Sequence, residues 1–236
     1  MHAPFLVLAV NDLPYVWGQA TWEAKAIIVV LLIFSIFAWS TMAHKAIQMR
    51  RARKLNHFFE AEFRSQKGVL DVYDRRVEVN DCPLFMVYRE GCREIDSRLR
   101  TTEDGVRKKS VSIKSIEHVK RTLESAVARE SLRLESGLIL LAIAVSGAPF
   151  LGLLGTVWGV MSAFSYVAMR GKADLATMAP GVAAALITTV AGLLVAIPSM
   201  FGYNWLVHNL RVATVQLDNF AQELISKFET EYLLDD

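Results

Sequence analysis

Hydrophobic positions along this chain fall into three long blocks, separated by stretches in which apolar and charged residues mix at helical spacing. The first block, 26–43 (AIIVVLLIFSIFAWSTMA), is bulky, β-branched and aromatic. The second, 136–169, and the third, 175–207, hold no Asp, Glu, Lys, Arg or His. About 20 apolar residues carry a helix across a hydrocarbon core of ~30 Å, so the pattern predicts spanning helices over 23–43, 136–169 and 175–207. The first reads as an ordinary lipid-facing span. The other two are studded with Gly, Ala, Ser and Thr, the composition of helices that press on other helices, because lipid tails supply no hydrophobic drive for association.

Outside these blocks the apolar positions keep a period near 3.6. Over 44–66, Leu55, Phe58, Phe59 and Phe63 stand among charged residues, and the helix is expected to run straight on from the first span. Residues 110–135 place Ile113, Ile116, Val119, Leu123, Val127 and Leu134 at helical spacing, and that helix is expected to continue into the second span. The third span is expected to continue through 208–232 along Leu210, Val215, Leu217, Phe220, Leu224 and Phe228. Asn80, Asp81 and Pro83 mark one break, and 101–105 (TTEDG) marks another. The chain is thus expected to be an all-α membrane protein with three spans, two of them long and extending into a helical cytoplasmic region. Its parts are an N-terminal segment (1–22), the span at 23–43, a helical region (44–135), the span at 136–169, a loop (170–174), the span at 175–207 and a C-terminal helix (208–236).

Charge orients this plan. The net charge of +2 conceals a concentration of 21 of the 26 Lys and Arg, and 15 of the 24 acids, within 44–135. His44, Lys45, Arg50, Arg51, Arg53 and Lys54 follow the first span directly. The positive-inside rule puts 44–135 and the C-terminus in the cytoplasm, and the N-terminus and the 170–174 loop outside, with Arg170 and Lys172 running mildly against it. Arg50, Arg51, Arg53 and Lys54 form a solvated surface that can also meet anionic membrane lipids. The opening MHAPFLVLAV lacks a basic flank and a convincing cleavage site, so it reads as an interfacial helix with Trp17 and Trp22 near the membrane surface rather than a signal peptide. Cys82 and Cys92 are expected to stay reduced, and none of His44, His57, His118 and His208 has a ligand-like neighbour.

Chemistry is sparse within the spans. Gly152, Gly155 and Gly159 recur on one face of the second span beside Thr156. Ala185, Thr189, Gly192 and Ala196 recur on one face of the third, with Gly181 a turn earlier. Such faces permit close backbone approach, and packing is the expected role of these glycines and of Pro149, Pro180 and Pro198. Thr156, Thr188 and Thr189 have two readings. A threonine in a membrane helix can return its hydroxyl to a carbonyl one turn back, or it can line a wet path and hold a partner's ionisable group. Proton or ion conduction usually needs an ionisable group in the membrane, and the second and third spans offer none. A conducting complex would therefore take its carboxylate from another chain. No P-loop, HExxH or GxSxG motif is present, so an enzyme is not expected, nor a cofactor or metal, nor a nucleic-acid partner.

The segments PFLGLLGTVWGVMSAF (149–164) and MAPGVAAALITTVAGLLVAIPSMFGYNWL (178–206) closely resemble the signature regions of the TolQ/ExbB/MotA proton-channel family. The three-span plan lies nearer its TolQ branch, with ExbB close behind. Weaker likeness covers the rest of the chain, including LDNFAQEL at 217–224. The resemblance implies a bacterial inner-membrane homopentamer whose second and third helices surround a pore. A dimer of a single-span TolR/ExbD-like partner would sit inside and carry the proton-accepting Asp. Force would pass to a TolA/TonB-like envelope protein. Thr156 and Thr189 match two pore threonines of the family and would form the proton pathway. Thr188, Ala184 and Ala185 would be possible pore-lining positions. Many relatives carry Glu where this chain has Ala184, so either the partner's Asp suffices or coupling is altered. The first is favoured because both threonine positions are retained. A non-conducting membrane scaffold is the alternative from a different class.

Overall fold

The computed structural model describes Gly18 and residues 21–100, 107–170 and 175–233. The expected interfacial helix around Trp17, most of the 170–174 loop and the TTEDG break lie outside the described residues. Among the described residues six helices follow in order: α1 (Trp22–Ser65), α2 (Asp71–Asp74), α3 (Pro83–Leu99), α4 (Ile113–Glu135), α5 (Leu138–Arg170) and α6 (Leu175–Tyr232). Among the described residues there is no strand, only isolated bridges between Arg100 and Arg107 and between Val111 and Leu233. Helices α1, α5 and α6 are long and apolar enough to cross a membrane.

Helix ends follow local chemistry. Thr21 accepts at its side-chain oxygen from the Ala24 amide at 3.4 Å, and Ser112 accepts from Ser115 in the same way at the start of α4. Pro83 occupies the first turn of α3, where its missing amide costs no hydrogen bond. As expected, α1 passes from the first span into the charged region without a break, and α6 does the same after the third. The second span differs from its expectation. Helix α4 stops at Glu135 and α5 starts afresh at Leu138, because Gly137 takes a left-handed φ of 84° that continues neither helix.

The chain divides into two compact units, Met1–Ala43 with Gly137–Trp205, and His44–Ser136 with Leu206–Asp236. In the first, the buried residues are small: Ala148 and Ala196 pack with Leu31, against Ile27, Leu151, Ala191 and Val195. Gly202 leaves room for the Met42 thioether from α1. Large apolar side chains such as Phe150, Val157, Leu194 and Phe201 point outward, the inverse of a water-soluble helix bundle.

The second unit is built the usual way round. Phe59 lies 5.5 Å from Phe85, 5.4 Å from Tyr88 and 6.0 Å from Phe220, ring centre to ring centre. Ile95, Leu99, Leu123, Leu217, Leu224 and Phe228 complete the core. Ile113, Val215 and Phe58 belong to the expected apolar stripes yet are exposed. Arg107 ties α2 to α3 by donating to Asp74 and to the buried Asp96, each at 2.6 Å.

Candidate functional site

Within the first unit, α5 and α6 meet along the small-residue faces. A methyl added at Gly152 would sit 2.9 Å from the Thr188 carbonyl oxygen and 3.0 Å from the Thr189 Cα. At Gly192 it would sit 2.6 Å from the Ala148 carbonyl oxygen, and at Gly159 2.6 Å from the Ala185 Cβ. At Gly155 it would collide with the Thr188 side chain. These contacts are largely against backbone, which cannot step aside. Gly181 has more room, with the Ala163 Cβ at 3.4 Å.

The close approach exposes the Gly152 carbonyl on α5 to hydroxyls from α6. Thr188 Oγ1 lies 3.1 Å from it, and also 2.6 Å from the Ala185 carbonyl of its own helix. Thr189 Oγ1 lies 3.1 Å from the same Gly152 oxygen and 3.4 Å from Thr156 Oγ1. Thr156 donates to the Leu153 carbonyl at 2.7 Å. The three threonines thus converge on one turn of α5. The candidate pathway pair, Thr156 and Thr189, is brought together, both residues half-buried.

The candidate pore-lining residues sit differently. Thr188 is 0% exposed, Ala185 1% and Ala184 4%, all enclosed within this one chain. Pro149 lies inside α5, and Pro180 and Pro198 inside α6, each helix remaining continuous through them. Pro149 directly follows Ala148, whose carbonyl meets Gly192. Beside Pro198, the Ser199 hydroxyl donates to the Val195 carbonyl at 2.7 Å, satisfying a polar group where no water competes.

The residues limit what the site can do. A threonine hydroxyl has one proton to donate and two lone pairs, so it can hold a carboxylate or a water but cannot store a proton at physiological pH. Thr189 has two acceptors within reach for one proton, and Thr156 donates within its own helix while lying within reach as an acceptor for Thr189. Turning either hydroxyl outward would offer a donor to an incoming anion at the loss of one donated hydrogen bond. The doubly used Gly152 carbonyl was not foreseen from the residues. The adjacent Thr188–Thr189 pair facing a glycine is the signal that could have found it.

Comparison with known proteins supplies a context for this geometry. The model of the MotA/TolQ/ExbB proton channel family matches residues 94–219. A Tol-Pal system protein TolQ of Pseudomonas aeruginosa is 37% identical over 190 residues, 79% of each chain. A TolQ of Haemophilus influenzae is 32% identical over 209 residues, 87% of this chain and 88% of the relative. A biopolymer transport protein ExbB of Neisseria meningitidis is 29% identical over 198 residues, 84% of this chain and 88% of the relative.

Proposed function

The chain belongs to the MotA/TolQ/ExbB proton channel family, and we propose that it is a TolQ-type stator subunit of a bacterial inner membrane, converting proton motive force into mechanical work. In this reading five copies surround a pore. The single membrane helices of two TolR/ExbD-like partners sit inside and bring the carboxylate that this chain's second and third spans lack. Thr156 and Thr189 hydrogen-bond that carboxylate, or a water beside it, in its charged state and release it when it is protonated. The repeated exchange turns partner and ring against each other, and a TolA/TonB-like protein carries the force into the envelope. The N-terminus faces the periplasm and the C-terminus the cytoplasm.

One observation supports this most: two half-buried threonines, Thr156 of α5 and Thr189 of α6, are brought together within 136–169 and 175–207, segments that carry no charge of their own. Thr188 takes a different role. Its burial and its reach to Gly152 assign it to locking α6 onto α5, with Ala184 and Ala185 beside it in the packing. Ala184 in place of the Glu of many relatives favours one second reading, a membrane scaffold without flux.

Native mass spectrometry of the complex, purified from its own membranes through a tag on this chain, separates the two. The stator reading expects five copies with two of a small single-span protein bearing a membrane Asp. A monomer or dimer without such a companion, repeated in a second gentle detergent, would overturn it.

A further inference from the structure

The break between α4 and α5 leaves carbonyls at the end of α4 that no helical amide reaches. The Leu132 carbonyl still accepts the last helical bond, from the Ser136 amide at 2.9 Å, and beyond it the Arg133 carbonyl accepts from the Ser136 hydroxyl at 2.7 Å. The Leu134 carbonyl accepts from another helix altogether: Lys45 of α1 donates its Nζ there at 3.1 Å. The same ammonium donates to Gln48 Oε1 at 2.9 Å and approaches Ser136 Oγ at 3.5 Å. Lys45 is only 5% exposed. Its three N–H groups are therefore matched to three neutral oxygens.

A surface lysine would not be built this way. Burying an ammonium is costly unless every proton finds an acceptor, and a lysine usually finds a carboxylate. Two acids of this region are engaged elsewhere: Asp81 with Arg51 at 3.4 Å and Arg133 at 3.1 Å, and Glu130 with Arg133 at 3.5 Å. Lys45 instead meets the negative end of a helix, where a cation is favoured, at Leu134, three residues before the left-handed Gly137.

We infer that Lys45 is a positioning residue: it pins the α4 side of the Ser136–Gly137 joint to α1, and so fixes the point from which the second span departs. The pin stands on the contacts above. Its consequence rests on the stator reading, because α5 carries Gly152 and Thr156, and a loose origin would blur the register on which proton exchange depends. A Lys45→Met chain would therefore assemble yet transmit little force.

The test is hydrogen exchange on the full purified complex, read together with envelope function in cells. The variants are Lys45→Met, Lys45→Arg and, straining the joint from its other side, Gly137→Ala. Leu123→Ala serves as a control for general loosening. In Lys45→Met and Gly137→Ala, exchange should rise about ten-fold at 133–138, the worth of one charge-assisted hydrogen bond, while α3 stays unchanged. Envelope function should fall with the amount of complex preserved, and Lys45→Arg should recover most of both. Unchanged exchange at 133–138, a rise spread evenly over α3 and α4 as in Leu123→Ala, or full envelope function despite a loosened joint would each overturn the inference. A local rise in a complex that lacks the Asp-bearing partner would uphold the pin and remove the stator reading alone.

Discussion

The two units of this molecule solve the same problem, holding helices together, with opposite materials. In the charged unit, Phe59, Phe85, Tyr88 and Phe220 fill the space between helices, and Arg107 and Asp96 stitch its edge. In the membrane unit the large side chains face outward, and glycines bring backbones together around hydroxyl-to-carbonyl bonds. The reason lies in the solvent. Water expels Leu and Phe and so drives their burial, whereas lipid does not, leaving packing and internal hydrogen bonds as the source of association. The membrane unit is consequently intolerant of added volume, and the charged unit of lost volume.

Gly155→Leu breaks the membrane side of that contrast most severely, since its first carbon already overlaps Thr188. No assembled protein should be recovered on gentle extraction. Gly152→Ala and Gly192→Ala should fail nearly as badly, because they meet backbone. Gly91→Ala in the charged unit meets only side-chain atoms, the Leu123 Cδ2 at 2.7 Å and the Leu224 Cδ2 at 3.2 Å, and should cost about 1–3 kcal/mol in chemical unfolding.

Removing volume reverses the order. Leu123, fully buried, should lose about 2–5 kcal/mol on change to Ala. Leu194→Ala, exposed on α6, should leave unfolding within roughly 0.5 kcal/mol. Equal effects at the two sites would dissolve the distinction between the units.

The threonines sharpen it further. Thr188→Val removes a fully buried hydroxyl and should lower stability by about 1 kcal/mol with flux retained in what assembles. Thr189→Val should behave the other way, assembling normally while proton flux is lost.

The smallest effect concerns acid. The hydrogen bond from Arg107, more than any other influence, holds the Asp74 carboxyl below the usual carboxylate range. Its folded pKa is depressed, so its stabilisation is complete above the unfolded value of about 3.9 and disappears as pH falls through the folded value. Asp74→Asn should flatten the loss of protection around α2 and α3 as pH falls below about 4 in hydrogen exchange. The wild-type slope in Asp74→Asn would show that this pair contributes nothing.

Legibility in the sequence also differs between the units. Three spans and their continuation through α1 and α6 could be read directly, because an uncharged run and a 3.6 period are local signals. The α4–α5 break could not. Gly137 is one glycine among thirteen, and only the arrival of Lys45 from α1 makes sense of the turn. Faces were readable to within a residue or two, so Leu123 and Leu224 were placed inside correctly while Ile113 and Val215 were not. In the site, the glycine faces were legible from spacing, whereas the pairing of Thr156 with Thr189 came only from the resemblance to the family. That Thr188 rather than Thr189 is enclosed depends on the rotation of α6 against α5, which spacing does not specify.

Proton flux through Thr189→Val tests the account most directly. It would be measured in proteoliposomes holding this chain and its single-span partner, with a pH-sensitive dye inside and an imposed proton gradient. The account predicts a complex of wild-type composition whose flux falls to that of a partner lacking its membrane carboxylate, with Thr189→Ser restoring most of it. Wild-type flux from Thr189→Val would contradict the role given to this hydroxyl and leave the threonines as packing alone.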